Sequence, residues 1–226
     1  MERYSRNLNS ISLNDNKILK KSKVCVVGCG GLGGYIVEHL ARIGVGNITV
    51  VDGDIFQCSN LNRQLFSDEK SLGKNKVLKA KERITLVNSD VKLTPIAQML
   101  NKENGLSIIK DHHVVIDALD NISTRLLLEG LCELQGIPLV HGSVAGWYGQ
   151  VTTIFPGEKT LSKIYKKEVD KGVEKQLGNL SFVVANIASI QSSEVIKILL
   201  SKENPLRNKI LVVDMIAMDY EIMEIK

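Results

Sequence analysis

The chain has 226 residues, 44% of them hydrophobic, so it is long enough to bury a full core as one domain. Its net charge of +4, from 29 basic and 25 acidic residues, is too small to indicate nucleic-acid binding. The first residues, MERYSRNLNS, lack the apolar segment of a signal peptide, and no apolar run approaches the roughly 20 residues that cross a bilayer. We therefore expect one cytoplasmic domain with neither a membrane nor a nucleic-acid partner.

The first predicted element is a strand over 24–27 that leads into glycines at the G-x-G-x-x-G spacing, Gly28, Gly30 and Gly33. A helical pattern with one apolar face follows them. In this motif the first glycine permits a tight turn, the second leaves room for a phosphate, and the third lets helix and strand pack closely. The unpaired N–H groups at the helix start attract anions. The motif predicts a nucleotide phosphate at this turn.

The next predicted strand, over 47–51, ends in Asp52, where an acidic side chain commonly binds ribose hydroxyls. By itself this combination favours a nicotinamide or flavin enzyme. Three further features favour ATP: Asp54 directly afterwards, the string NLNRQ with Arg63, and Lys76 at the start of a helix predicted over 74–87. A triphosphate carries more charge than a diphosphate, so it needs cations and usually magnesium around its terminal groups.

The rest of the chain continues the alternation of strands and helices. Strands are predicted over 92–96, 114–117, 139–141, 150–155, 210–214 and 220–225. Helices are predicted from a cap at Asn121 or Ser123 to Gly136 and over about 182–200, with a loop over about 156–180 between them. The pattern predicts a Rossmann-like mixed α/β sheet, parallel in its first half, with antiparallel strands added in the C-terminal half and helices on both faces.

The string VVIDALDN places Asp117 and Asp120 at the carboxyl end of a buried strand, on the edge of the sheet where ligands bind. Asp120 is the candidate magnesium ligand, although an aspartate after a strand is often only a helix cap. The four histidines lack metal-ligand spacing and are interpreted as structural.

Together these motifs resemble the ThiF/MoeB/HesA adenylyltransferases, bacterial relatives of the ubiquitin-activating enzymes. The resemblance rests on GCGGLGG, the D-x-D after the second strand, NLNRQ, GKNK and DALDN, and it continues through VHGSVAGWYGQVTTIF to ILVVDMIAMDYE. It implies ATP- and magnesium-dependent adenylation of the C-terminal glycine of a small ubiquitin-like sulfur carrier ending in Gly-Gly. The carrier would serve thiamin, molybdopterin or a related synthesis, and a sulfur donor protein and a homodimer are further implied partners.

The resemblance also implies roles for individual residues. Asp52 would hold the ribose, Asp120 the magnesium ion, and Arg6 would reach the γ-phosphate in the neighbouring subunit. The remaining nucleotide-binding residues would be Gly28, Gly30, Gly31, Gly33, Asp54, Asn60, Arg63, Gln64, Lys76 and Asn121. Arg63, Lys76, Asp120 and Arg6 would form the catalytic set.

The same resemblance divides the single domain, 1–226, into three parts. An N-terminal helical arm would occupy 1–22 and a nucleotide-binding half 23–142. A half for carrier binding and dimerisation would occupy 143–226, including a crossover loop over about 156–180. Trp147 and Tyr148 are usually core or rim residues, and they are also candidates for a groove that takes the carrier's tail.

The chain departs from many relatives in its cysteines. It lacks the two C-x-x-C pairs that bind structural zinc, so no zinc is predicted. It also lacks a cysteine in the crossover loop, so the predicted product is a free acyl adenylate. Cys58 lies close to the presumed pocket, but nothing in the sequence indicates a lowered thiol pKa.

Other functions remain open on the sequence. A nicotinamide-dependent oxidoreductase would share the glycine turn and Asp52 but would give NLNRQ and Lys76 no role. A non-catalytic nucleotide-binding scaffold of the same fold is a second alternative. Within the adenylating class, the acceptor could instead be a peptide terminus or a modified transfer-RNA base.

Overall fold

The computed structural model describes residues 2–165, 174–203 and 206–225, and its framework is one mixed sheet. Its strands are β1 (Lys23–Val27), β2 (Asn47–Val51), β3 (Lys92–Ile96), β4 (Val114–Asp117), β5 (Leu139–Ala145), β6 (Tyr148–Ile154), β7 (Lys209–Asp214) and β8 (Asp219–Glu224). Among the described residues these eight strands lie in the order β3-β2-β1-β4-β5-β6-β7-β8. All pairs from β3 to β5 are parallel, and all pairs from β5 to β8 are antiparallel. The predicted mixed sheet is confirmed.

Strand direction brings distant parts of the chain to one edge of this sheet. The carboxyl ends of β1 to β5 meet there because those strands are parallel. Because β6 runs the other way and β7 turns back again, the start of β6 and the end of β7 lie on the same edge, with Tyr148 opposite Asp214. Residues from both halves of the chain therefore face one another.

Helices cover both faces of the sheet, as the sequence predicts. The helices are α1 (Leu13–Lys21), α2 (Gly31–Ile43), α3 (Lys76–Val87), α4 (Gly105–Ile109), α5 (Ile122–Gln135), α6 (Thr160–Ile164), α7 (Glu174–Leu177) and α8 (Ser181–Leu199). Side chains alternate along β1. Val24 and Val26 pack in one core with α2, α3 and α8, whereas Cys25 and Val27 pack in a second core with α4, α5 and α6.

Most predicted elements agree with the structure to within a few residues, and the largest differences lie in the second half. β5 extends four residues beyond the prediction, to Ala145, because it pairs with β6 along its whole length. The predicted loop over 156–180 contains α6 and α7, and its residues 166–173 lie outside the described part. The short helix α6 is held by a contact with α5, where Glu129 Oε1 accepts from the N–H of Leu161 at 2.6 Å. That contact leaves no periodic signal in the sequence.

One helix in the described residues, α8, is long and apolar enough to cross a membrane, with 19 residues and a mean hydropathy of 1.3. By length and composition, this helix is an exception to the expectation that no apolar run approaches the length of a membrane span. Val183, Ile187 and Val195 on α8 are fully buried in the core that α2 shares. Packing inside the protein accounts for its apolar composition.

Candidate functional site

A cavity of about 540 Å³ runs along the edge where the parallel strands end. We call the part beside β1, β2 and β4 the glycine-turn half. It is lined by Gly28, Gly30, Gly31, Asp52, Asp54, Arg63, Gln64, Lys76, Asp120 and Asn121. We call the part beside β5, β6 and β7 the distal half, and it is lined by Arg125, Ser143, Tyr148, Gln150, Tyr165, Asn179 and Val212. The cavity is thus longer than the predicted nucleotide site.

The glycine turn has the geometry that its spacing predicts. Gly28 has φ +100°, and a Cβ there would lie 2.4 Å from the carbonyl oxygen of Ala118. A Cβ on Gly33 would lie 1.9 Å from the carbonyl oxygen of Gly28, so only glycine allows this approach. Gly30 caps α2 without a side-chain hydrogen bond. The first N–H groups of α2 can therefore bind an anion in the cavity.

Asp52 is held in a fixed orientation beside this turn. Its Oδ2 accepts from the N–H of Cys29 at 2.7 Å, and its Oδ1 accepts from the N–H of Asp54 at 2.8 Å. The carboxylate is only 9% exposed. Because each carboxylate oxygen can accept more than one hydrogen bond, Asp52 keeps capacity for ribose hydroxyls.

Lys76 supplies a buried positive charge to the same wall. Its side chain is 8% exposed, and its Nζ lies 3.0 Å from Asp54 Oδ2 and 3.9 Å from Asp52 Oδ2. Asn75 caps α3 by accepting from two backbone N–H groups, and this cap fixes the helix start that carries Lys76. A phosphate oxygen could replace Asp54 as the partner of the ammonium group, since the Asp54 side chain is 55% exposed.

Arg63 and Gln64, on the NLNRQ loop, line the same half of the cavity as Lys76. Arg63 Nη1 donates to the carbonyl oxygen of Ser59 and to Asn62 Oδ1, each at 2.9 Å, which fixes the plane of the guanidinium group. Gln64 is buried, and its Oε1 has no hydrogen-bond partner among the described residues. A buried polar atom without a partner is costly, so a ligand that donates to Oε1 would offset that cost.

Asp120 is the one candidate here for a magnesium ligand, and it is exposed at the cavity. Asn121 Nδ2 lies 3.4 Å from Asp120 Oδ1, while Asn121 caps α5 by accepting from the N–H of Thr124 at 2.9 Å. The described residues contain no cluster of three or more His, Cys, Asp or Glu side chains that could hold a metal ion. Magnesium that travels with a nucleotide needs only one or two carboxylates besides the phosphates, and Asp120 fits that requirement.

Three predicted site residues, Gly33, Asn60 and Arg6, do not line the cavity, and Gly33 instead lies against the carbonyl oxygen of Gly28. Asn60 accepts from the N–H of Gln57 at 3.0 Å and so orders the loop that carries Arg63. Arg6 is exposed on a 3₁₀ segment that is attached to the far end of α3, where Arg3 donates to the carbonyl oxygen of Val87 at 2.7 Å. Since α3 spans about 18 Å from Lys76 at the cavity to Val87, Arg6 does not reach the glycine turn of its own chain.

Two residues that line the distal half, Arg125 and Tyr165, contact a buried pair of ionisable groups, Asp117 and His141. The sequence predicts a structural role for His141 and places Asp117 at the carboxyl end of a strand. Asp117 and His141 are both fully buried, and His141 Nδ1 lies 2.7 Å from Asp117 Oδ2. Burial lowers the pKa of His141, and the hydrogen bond to Asp117 opposes this without overcoming it. His141 is therefore a neutral imidazole at neutral pH, with its proton on Nδ1.

Tyr165 joins this pair to the cavity wall. Its hydroxyl lies 3.0 Å from His141 Nε2, 3.0 Å from Arg125 Nη1 and 2.8 Å from Gln150 Nε2. Arg125 also donates from Nη2 to the carbonyl oxygen of Leu119 at 2.6 Å. The position of Asp117 at a strand end could have signalled this cluster. Tyr165 and Gln150 carried no signal, because only the fold brings them together.

Aromatic residues and cysteines complete the comparison with the sequence. Tyr148 lines the cavity, whereas Trp147 does not and instead contacts Phe182, with ring centroids 5.0 Å apart. Cys58 is exposed and also lies outside the cavity lining. Burial raises the pKa of the Cys25 thiol to about 12 and that of Cys29 further, so neither is a nucleophile at neutral pH.

The fold and the glycine-turn half define a Rossmann-type nucleotide-binding protein with cations placed for a phosphate chain. Comparison with known proteins identifies the family within this class. A sequence profile of the ThiF family matches residues 4–226. The chain belongs to the ThiF family and is an adenylyltransferase, which uses ATP.

Two similar relatives match along nearly the whole chain. The SAMP-activating enzyme E1 of Haloferax volcanii is 33% identical over 98% of this chain and 84% of the relative. The molybdopterin-synthase adenylyltransferase of Escherichia coli is 33% identical over 100% of this chain and 92% of the relative. Among solved structures, E. coli MccB with ATP aligns with a TM-score of 0.85 over 99% of this chain and 70% of that chain, at 22% identity, which supports the fold. The sequence-based resemblance is confirmed.

Proposed function

We propose that this protein uses ATP and magnesium to adenylate the C-terminal glycine carboxylate of a small ubiquitin-like sulfur carrier ending in Gly-Gly. The observation that carries the proposal is the single cavity in which the glycine turn, Asp52, Arg63 and Lys76 converge and which continues beyond them into the distal half. The first half suits a nucleotide, and the second half provides room for an acceptor. Relatives that activate ubiquitin-like sulfur carriers support the same conclusion.

The reaction joins two anions, which explains the cations. A carboxylate oxygen of the carrier attacks the α-phosphorus, a new P–O bond forms, and the bond to the β-phosphate oxygen breaks, so that pyrophosphate leaves. The carboxylate is already ionised at neutral pH, so no general base is needed. A cation about 4 Å from a phosphate oxygen contributes ~4 kcal/mol at an effective dielectric near 20, and it is most effective where charge develops.

Five features of the glycine-turn half have a place in this step. Asp52 holds the ribose, the N-terminus of α2 holds a phosphate, and Lys76 and Arg63 stabilise the charge that develops on the phosphate chain. Asp120 would hold magnesium, which would neutralise charge on the leaving pyrophosphate. None of the described residues that line the cavity is a cysteine. The proposed product is a free acyl adenylate that a sulfur donor protein resolves.

The test is carrier-dependent exchange of labelled pyrophosphate into ATP, with a panel of small ubiquitin-fold proteins ending in Gly-Gly as acceptors. We expect exchange with at least one of them, together with a mass increase of one adenylyl group on that carrier. At the magnesium concentration used for the wild type, Asp120→Asn should abolish exchange. Asp90 is an exposed aspartate between α3 and β3, and Asp90→Asn should not change the exchange rate. Active carriers also identify the pathway, thiamin, molybdopterin or another sulfur product.

Calorimetry separates the two alternatives. An oxidoreductase would bind NAD in preference to ATP and would not depend on Lys76, which the dinucleotide does not need. A non-catalytic scaffold would bind ATP and a carrier without exchanging pyrophosphate. Either result would overturn the proposal.

The proposal extends to a homodimer with shared sites, because Arg6 can act on a phosphate chain only in another copy. It also places the protein in the cytoplasm. If the sites are shared, Arg6→Ala and Asp120→Asn are each inactive alone, and mixing them under conditions of subunit exchange restores part of the activity. Failure to recover any activity, in a mixture that forms mixed dimers, would restrict each site to one chain.

A further inference from the structure

The Tyr165 hydroxyl has more polar contacts than one hydroxyl group usually makes. Its neighbours are His141 Nε2, Arg125 Nη1, Gln150 Nε2 and Ser143 Oγ, at 3.0, 3.0, 2.8 and 3.3 Å. They come from β5, β6 and α5, and Tyr165 itself follows α6. Four elements therefore meet at this single oxygen.

The chemistry of His141, Arg125 and Gln150 fixes the direction of three of these hydrogen bonds. Arg125 can only donate, and His141, whose Nδ1 proton faces the Asp117 carboxylate, can only accept at Nε2. Tyr165 therefore donates its proton to His141 and accepts from Arg125 and from Gln150. The one proton and both lone pairs of the Tyr165 hydroxyl are therefore occupied, so Tyr165 holds other side chains and does not contact a ligand.

The segment that carries Tyr165 is attached to α5 at two further points. Glu133 Oε2 accepts from the N–H of Gly157 at 2.5 Å, and Glu129 Oε1 accepts from the N–H of Leu161 at 2.6 Å. Burial raises the pKa of Glu129, and hydrogen bonds to backbone N–H groups oppose this. The position of the Tyr165 hydroxyl is thus determined by contacts along the whole segment.

The groups that Tyr165 holds keep hydrogen-bonding capacity toward the cavity. Arg125 is buried, and its Nε has no hydrogen-bond partner among the described residues, although it lies 3.7 Å from Asp117 Oδ2. One hydrogen on each of Nη1 and Nη2 remains after the bonds to Tyr165 and Leu119. Because Gln150 donates through Nε2, its Oε1 is left as an acceptor.

The dimensions of the distal half match an extended peptide. From β5 to β7 the cavity passes two strand spacings, about 10 Å at roughly 4.8 Å each. An extended chain rises about 3.3 Å per residue, so about three residues fill this length. A peptide of that kind presents alternating N–H and C=O groups and ends in a carboxylate, which are the groups that Gln150 Oε1 and the Arg125 guanidinium would recognise.

We propose that Tyr165 is a positioning residue for the C-terminal tail of the carrier: held by the Asp117–His141 pair, its hydroxyl fixes Arg125 and Gln150 where they bind that tail. The inference rests on the proposed function, since it specifies how the acceptor of that reaction is held. It assigns no role to Tyr165 in ATP binding, because the glycine-turn half does not include it.

The experiment compares Tyr165→Phe with the wild type in the pyrophosphate exchange assay, varying carrier and ATP separately. Losing a hydrogen bond to a charged partner should raise the KM for the carrier about tenfold, while the KM for ATP and the calorimetric affinity for ATP stay unchanged. Gln150→Met keeps the side-chain volume and should raise the KM for the carrier about threefold. The matched control is Tyr220→Phe, which removes a hydroxyl that accepts from Asn186 at 3.0 Å outside the cavity; it should change neither constant.

The outcomes separate this inference from the proposed function. If the wild type exchanges pyrophosphate and neither Tyr165→Phe nor Gln150→Met changes the KM for the carrier, Tyr165 is not a positioning residue. If both KM values rise together, its role is only structural. If Tyr165→Phe fails to fold, Gln150→Met alone decides. If the wild type exchanges nothing with any carrier, the proposed function fails first and the inference falls with it.

Discussion

The two halves of the cavity are built in different ways. In the glycine-turn half, the functional groups come from the loops that directly follow β1, β2 and β4 and from the first turn of α3. In the distal half, Tyr165 contacts Arg125 in the interior of α5 and His141 in the interior of β5. Strand ends and a helix start position the groups of the first half, whereas the second half depends on contacts between side chains of different elements. Mutations should therefore affect nucleotide and acceptor separately.

The largest expected effect is in the glycine-turn half. Lys76→Ala and Arg63→Ala should each lower the rate of pyrophosphate exchange by about 10²–10³-fold, because each removes a fixed charge that faces the developing charge on the phosphates. Exchange kinetics at saturating carrier measure this. Lys81→Ala, an exposed lysine on the same helix as Lys76, is the control and should leave the rate unchanged. A loss limited to the KM for the carrier would contradict the division into two halves.

The second prediction concerns the backbone of the glycine turn. Gly33→Ala should destabilise the fold by about 2–3 kcal/mol, because its Cβ would collide with the carbonyl oxygen of Gly28. The control is Gly130→Ala in α5, where a Cβ meets nothing within 4 Å and alanine should stabilise the helix by about 0.5–1 kcal/mol. Urea unfolding measures both changes. Wild-type stability in Gly33→Ala would show that the turn can move away from β1.

The third prediction tests a hydrogen bond between the NLNRQ loop and the distal half. Asn62 Nδ2 donates to the carbonyl oxygen of Asn179 at 3.2 Å, while Asn62 Oδ1 accepts from Arg63. Asn62→Ala should lower kcat/KM for both ATP and carrier by about fivefold, since one neutral hydrogen bond and one to a charged group are lost. Asn16→Ala on α1 serves as the control, and an effect on only one substrate would mean that Asn62 does not connect the halves.

The smallest expected effect is the pH dependence of stability from His141. Burial lowers its pKa below the ordinary 6.5, so the unfolded chain takes up a proton first as the pH falls. The favourable contribution of neutral His141 is therefore complete above about pH 6.5 and is lost as the pH falls through the lower, folded pKa. In urea unfolding, the free energy of unfolding should decline less steeply with falling pH for His141→Gln than for the wild type. Equal slopes would mean that folding leaves the pKa of His141 unchanged, because the contact with Asp117 fully offsets burial.

The sequence by itself determined the glycine-turn half. Gly28 and Gly33 at fixed spacing, Asp52 at a strand end and Lys76 at a helix start were predictable because turn geometry and strand ends depend on neighbouring residues. The mixed sheet also followed from the alternation of elements, whereas the order of its strands came only from the structure. Arg6 and Asn60 show where this reasoning stopped, since the family resemblance implied a role for both but could not say that they lie outside the cavity.

Only the tertiary structure decided the distal half. The extension of β5 comes from pairing with β6, the formation of α6 depends on carboxylates of α5, and the Tyr165 cluster depends on both. His141 looked like a core residue in the sequence, and it became part of a site because Asp117 and Tyr165 are brought to either side of its ring. Contacts between residues far apart in the chain follow no periodicity or fixed spacing, so they can be identified only from the folded structure.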